Sequence, residues 1–198
     1  KAATILVFHG NAGHRGHRIG LMLALHRLGY GVLLPDYRGY GGSSGSPSED
    51  GFYRDAQACR TWISKRTSAP LVYLGNSIGS GVAVELAIHH PPAALILRSG
   101  FDSLGAVGQA VYPLFPVRLL IRDRYANIEK IASVQSPILA VHGEADRIIP
   151  MPRGKALFDA APEPKQWLPL SGVGHNDLEM VAGARYFGAL ARFLDEHL

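Results

Sequence analysis

Six short apolar runs, each followed by a stretch with helical spacing, constrain this chain more than any other feature. The runs are residues 3–9, 31–36, 71–75, 94–99, 138–142 and 166–170. Most are continuous in Val, Ile and Leu and do not alternate with polar residues. That pattern marks strands covered on both faces. In residues 15–28, Ile19, Met22, Leu23, Leu25 and Leu28 recur at helical spacing. Residues 52–65 follow Ser48, a residue type suited to an N-cap, with Glu49 and Asp50 in the acidic-favouring first turn. Residues 78–89 end at His89 and His90, before Pro91 and Pro92 stop the helix. Helices over 153–160 and 178–197 complete the set. Strand and helix alternate throughout, which predicts an α/β fold. We expect a doubly wound, mostly parallel sheet with right-handed crossovers and helices on both faces. Chemistry in such a sheet gathers at the carboxyl ends of the strands.

The 198 residues suit one domain and contain no linker or repeat, so residues 1–198 read as a single domain. Residues 105–127 break the alternation. They carry Tyr112, Pro113, Phe115 and Pro116, then an Arg-rich stretch, and read as a small cap over the site or as an irregular helix. The net charge is +4. The basic residues are scattered apart from Arg118, Arg122 and Arg124, a group that reads as a solvated face, so no nucleic-acid partner is expected. The single cysteine, Cys59, rules out an internal disulfide, is compatible with a reducing compartment, and reads as a small half-buried residue. No apolar run approaches the roughly 18 residues of a membrane span, and no signal-peptide pattern is visible. A cytoplasmic location is expected, with a membrane-anchored longer form as the alternative, and membrane contact only through such a preceding segment. No signal for oligomeric state stands out.

Gly75-Asn76-Ser77-Ile78-Gly79 follows a predicted strand and opens a predicted helix, the context that gives G-x-S-x-G meaning. The serine would sit on a strained turn, with small residues two positions to either side and its hydroxyl above the sheet edge. The bland reading is a glycine-rich turn. A phosphate loop is disfavoured because G-x-x-x-x-G-K-[ST] is absent, and residues 39–45 lack the third glycine of G-x-G-x-x-G. A serine hydroxyl needs a base. Of nine histidines, His175 lies between the last strand and the last helix, over the strand ends. His26, His89 and His197 fall on helices, whereas His14 and His17 lie near the first loop. No Cys/His spacing suggests a metal, and none is expected. The base needs an acid, and Asp146, in the loop after the fifth strand, is preferred to Glu144, with Asp102 as a second alternative. Asp177 lies too near His175 in sequence and is expected to cap the last helix. The order Ser77, Asp146, His175 differs from the chymotrypsin and subtilisin orders. Glycines around Asn11 permit close approach to a ligand, so the amides of Asn11 and Ile78 are candidate oxyanion donors.

Five segments together carry a resemblance: residues 9–13, 36–43, 75–79, 142–146 and 174–177. They resemble the α/β-hydrolase superfamily, in its small serine-hydrolase branch without a large lid, alongside bud-emergence-type hydrolases and protein depalmitoylases. The resemblance implies Ser77, Asp146 and His175 as a triad and Asn11 and Ile78 as the oxyanion hole. It also implies an eight-stranded fold, in which the first run here is the family's third strand. Cleavage of a small-molecule or acyl-protein ester or thioester, without a cofactor, is the expected function. A peptidase on the same scaffold and a non-catalytic binding module are the alternatives. A serine nucleophile argues against dehalogenase or epoxide hydrolase chemistry. Tyr40, Tyr112, Leu114 and Phe115 line an acyl pocket or belong to the core.

Overall fold

All six expected strands form, and they make one parallel sheet. They are β1 (Thr4–Phe8), β2 (Gly31–Leu33), β3 (Leu71–Asn76), β4 (Ala94–Arg98), β5 (Ile138–Gly143) and β6 (Lys165–Leu170). Their order is β2-β1-β3-β4-β5-β6, with every neighbouring pair parallel. The computed structural model describes residues 3–198, without the side chains of Arg118 and Leu119. β2 stops at Leu33, short of the expected 36. Pro35 has no N–H for the ladder, and Asp36 turns into the following loop to accept the Arg15 N–H at 2.6 Å.

The helices follow the expected pattern, with shifted starts. Residues 15–28 open with a single 3₁₀ turn, Arg15–Arg18, before α1 (Ile19–Arg27). α2 (Glu49–Ser64) starts ahead of the expected 52 because Ser48 caps it, its hydroxyl accepting the Gly51 N–H at 3.1 Å. α3 (Ile78–His89) has the expected bounds. Residues 105–127 resolve into α4 (Leu104–Val111) and the short α5 (Val117–Leu120). Glu49 pins the end of this segment to α2 by accepting the N–H groups of Arg124 and Tyr125 at 2.6 and 3.0 Å. Arg122 and Arg124 are exposed, as a solvated face requires, and the Arg118 side chain lies outside the described residues. α6 (Met151–Ala160) takes Pro152 into its first turn, where a missing N–H costs no intrahelical bond. α7 (Leu178–His197) bends at Ala182, whose φ is −132°.

Alternation along the strands splits the core into two layers. Leu6, Phe8, Tyr73, Leu95 and Leu97 pack on one face with Phe52, Val82, Ala83 and Leu157, from α2, α3 and α6. Ile5, Val7, Val72, Leu74 and Ile96 pack on the other with Leu21, Leu25, Leu190 and Phe193, from α1 and α7. α3 is buried almost all round, which explains why its sequence shows no apolar stripe. The chain runs outward from β1 to β2 and then crosses back to β3. The winding therefore reverses between β1 and β3, and the crevice at such a switch point is where open sheets bind ligands. Among the described residues, no helix is long and apolar enough to cross a membrane.

Candidate active site

β3 ends at Asn76 and α3 begins at Ile78, so Ser77 alone must turn the chain. Its backbone sits at φ 55°, ψ −123°, a region that residues with a side chain rarely adopt. Hydrogen bonds hold it there. The Ser77 N–H donates to Arg98 O at 2.9 Å, and Ser77 O accepts from the Ser80 N–H and hydroxyl at 2.8 and 2.6 Å. The flanking glycines are a steric necessity. A Cβ on Gly75 would stand 2.4 Å from Gly79 O, and one on Gly79 would stand 2.1 Å from Phe8 O.

His175 lies in the loop between β6 and α7. That loop is fastened to the Asp146 loop, where the Ala145 N–H donates to Val173 O at 2.9 Å. His175 Nδ1 meets Asp146 Oδ2 at 2.7 Å, and His175 Nε2 meets Ser77 Oγ at 3.1 Å. The second Asp146 oxygen accepts the N–H groups of Ile148 and Ile149 at 2.9 and 2.8 Å. Burial by itself would raise the Asp146 carboxyl. The His175 and Ile149 hydrogen bonds outweigh it and hold the group below the ordinary carboxylate value. An ionised carboxylate only accepts, so His175 Nδ1 carries the proton and Nε2 turns its lone pair to the Ser77 hydroxyl.

The other acids are occupied or remote. Glu144 is exposed. Asp102 accepts from Arg153 Nη1 at 3.0 Å and from the Ser103 N–H at 2.8 Å. Asp177 stands at the start of α7 but does not cap it, contrary to expectation. Its backbone, at φ −115° and ψ 11°, is not the extended form a cap uses, and its carboxylate reaches back to the Gly174 N–H at 2.7 Å.

The loop after β1 runs beside the elbow. A Cβ on Gly10 would lie 3.1 Å from Ser77 Cβ. Asn11 follows, and its side-chain oxygen accepts the Tyr40 hydroxyl. The Ile78 N–H opens α3, where the first amides have no intrahelical acceptor. Tyr40 packs its ring on His9 and Phe52 at 5.5 and 5.7 Å. Tyr112, Leu114 and Phe115 are 59%, 93% and 61% exposed, so they are not core residues. His14 and His17 stack on each other, 4.2 Å between ring centres, on an exposed surface. His14 lines an open groove of about 840 Å³ beside β2, together with Ile19, Met22, Val32 and Leu34. Neither Ser77 nor His175 borders that groove. Cys59 is half-buried, and burial pushes its thiol up to about 11. Among the described residues, no group of three or more His, Cys, Asp or Glu is placed to hold a metal ion.

One neighbour escaped the sequence reading. His142, at the end of β5, is buried with Nε2 2.9 Å from Ile149 O and 3.7 Å from Asp146 Oδ2. Burial lowers its pKa, so the ring stays neutral and donates to Ile149 O. It thereby braces the backbone that hydrogen-bonds Asp146. A histidine inside an otherwise apolar run was the available signal.

Comparison with known proteins bears on the family and the fold. The family model described as "Serine aminopeptidase, S33" matches residues 1–114. An uncharacterized protein of Mycobacterium tuberculosis (strain H37Rv) is 49% identical over 196 residues, which cover 98% of this chain and 70% of that one. The human alpha/beta hydrolase domain-containing protein 17B is 34% identical over 201 residues, which cover 98% of this chain and 67% of that one. Among solved structures, the Paleococcus ferrophilus monoacylglycerol lipase superposes with a TM-score of 0.78 at 18% identity, covering 98% of this chain and 95% of that one. The Pyrococcus furiosus esterase Pf2001 superposes with a TM-score of 0.80 at 18% identity, covering 100% and 84%. At that identity the two structures speak for the fold alone.

Proposed function

Since the chain belongs to the α/β-hydrolase superfamily, in the family described as serine aminopeptidase S33, we propose that it is a serine hydrolase that cleaves carboxylic esters or thioesters. The observation that carries this reading is the hydrogen-bonded line from Ser77 Oγ through His175 to Asp146, at 3.1 and 2.7 Å. In the first step Ser77 Oγ attacks the carbonyl carbon while His175 Nε2 takes its proton. The developing oxyanion is met by the amides of Asn11 and Ile78, and losing one such donor costs about 2.7–4 kcal/mol of transition-state stabilisation. The tetrahedral centre collapses, the bond to the leaving oxygen or sulfur breaks, and His175 returns the proton to it. Water, deprotonated by His175, then releases the acid from Ser77. Asp146 stays ionised and stabilises the imidazolium.

Tyr112 and Phe115 lie exposed in the segment leaving the carboxyl end of β4, where an acyl chain can meet them. Tyr40 serves as a wall of the oxyanion loop. A second reading is peptide cleavage, favoured by the family's description. The test is hydrolysis of p-nitrophenyl esters from acetate to palmitate, beside an amino-acid p-nitroanilide, by wild type and Ser77→Ala. Ester turnover lost in the variant supports the proposal. Turnover of the anilide alone moves the assignment to a peptidase. Turnover of neither by a folded wild type, with no labelling of Ser77 by a fluorophosphonate, identifies a non-catalytic module.

A further inference from the structure

We propose that Arg98, through a partly buried ion pair with Glu179, is a positioning residue that fixes His175 against Ser77. The inference rests on the serine-hydrolase reading and extends it to two residues outside the Ser77–His175–Asp146 line. Arg98 is the last residue of β4 and acts in two directions. Its carbonyl accepts the Ser77 N–H at 2.9 Å, so its backbone helps hold the strained elbow. Its side chain follows the alternation of Ala94 and Ile96 onto the α7 face of the sheet. There Nη1 reaches Glu179 Oε1 at 2.7 Å, and the guanidinium lies 5.0 Å from the centre of the Tyr186 ring. Glu179 is the second residue of α7, in the turn that directly follows the His175 loop.

The kink gives this contact its importance. Ala182 departs from helical geometry, so the first turn of α7 is not continued rigidly by the rest of the helix. The turn that carries the end of the His175 loop therefore needs an anchor of its own, and the Arg98–Glu179 pair supplies one. The pair is ionised, with Arg98 buried and Glu179 partly exposed. Burial works against the Arg98 charge, but Tyr186 and Glu179 beside it more than restore it. Burial likewise raises the Glu179 carboxyl, but Arg98 pulls it below its ordinary value. Such a pair rarely stabilises a fold more than apolar side chains of the same volume would. What it adds is direction: a guanidinium and a carboxylate meet in few geometries, whereas apolar surfaces slide. A displacement of about 1 Å at a reacting group costs on the order of a hundredfold in rate.

The experiment compares wild type with Glu179→Gln, which keeps the shape and removes the charge. Three quantities are read: thermal midpoint, kcat and KM for p-nitrophenyl acetate, and the low-field proton NMR resonance of the His175 Nδ1–H. The expected result is a folded variant with kcat lowered about tenfold or more, KM within about twofold, and a weakened His175 resonance. A folded variant with unchanged kcat and resonance overturns the proposal. If Glu179→Gln does not fold, Arg98→Lys, which keeps a cation facing Glu179, carries the same readouts and the same expected loss. If the wild type turns over no ester but its His175 resonance is present and fades in the variant, the positioning stands and the esterase reading falls.

Discussion

Ser77 shares a positive φ with Ser99, but it is Ser77 that stands at the elbow with its hydroxyl 3.1 Å from His175 Nε2. At φ 55° its side chain is thrust from the turn toward His175 Nε2, and the cost of that conformation is met by hydrogen bonds to Arg98 and Ser80. Replacing Ser77 with Ala should lower kcat about 10⁴-fold or more, and His175→Ala should add little to that loss, since residues acting as one unit are not additive. Ester turnover of the two single variants and the double variant checks this. Ser77 and His175 were legible in the sequence because sterics and chain order restrict their neighbours. Arg98 and Glu179 were not, because each finds its partner only across the fold. The one hint was a cation ending an apolar strand. The buried histidines set a pH dependence. His9 and His142 both have pKa values lowered by burial, so the unfolded chain binds more protons than the native one below the ordinary value of 6.5. Their contribution is complete above that value and is lost as pH falls through it toward the lower native pKa values. Asp146, also lowered, adds a loss at more acid pH, as its carboxylate protonates. Urea unfolding between pH 5 and 8 should show stability rising with pH, by at most about 1.4 kcal/mol per pH unit per histidine. In His142→Gln the slope should flatten.

At the scale of elements, the elbow depends on how closely α3 approaches β1. The helix can begin at Ile78 only because Gly79 lets the Phe8 carbonyl pass where a side chain would be. Gly79→Ala places a carbon 2.1 Å from that rigid backbone oxygen. The strand or the helix must shift, and overpacking of this kind typically costs about 1–3 kcal/mol. Because the shift falls on the elbow, fluorophosphonate labelling of Ser77 should slow even where the variant stays folded. Labelling at the wild-type rate would show that the elbow tolerates a wider turn. The bounds of α3 were readable because Ser77 and Pro91 fix its ends. α1 departs from its apolar spacing. Apolar spacing places it at 15–28, but His14 accepts the Gly16 N–H and tightens the first turn into a 3₁₀ form, which spacing alone does not encode.

For the whole molecule, the alternation of strands and helices foretold a parallel sheet but not the order of its strands. The reversal between β1 and β3 depends on which side of β1 each crossover packs, and apolar runs that are buried on both faces look alike from either side. The two-layer core has an energetic consequence. Ser77 is carried by α3, in one core layer, whereas His175 hangs from α7, in the other. The site therefore exists only while both layers are packed against the sheet. Leu95 and Leu190 are each fully buried, one in each layer. Replacing either with Ala should cost about 2–5 kcal/mol. If the site has no stability of its own, loss of Ser77 labelling in urea should follow the circular-dichroism transition in wild type. In both variants the two curves should then move together to lower urea. A labelling curve that falls ahead of the circular-dichroism curve in Leu190→Ala alone would show that α7 opens by itself and takes His175 with it.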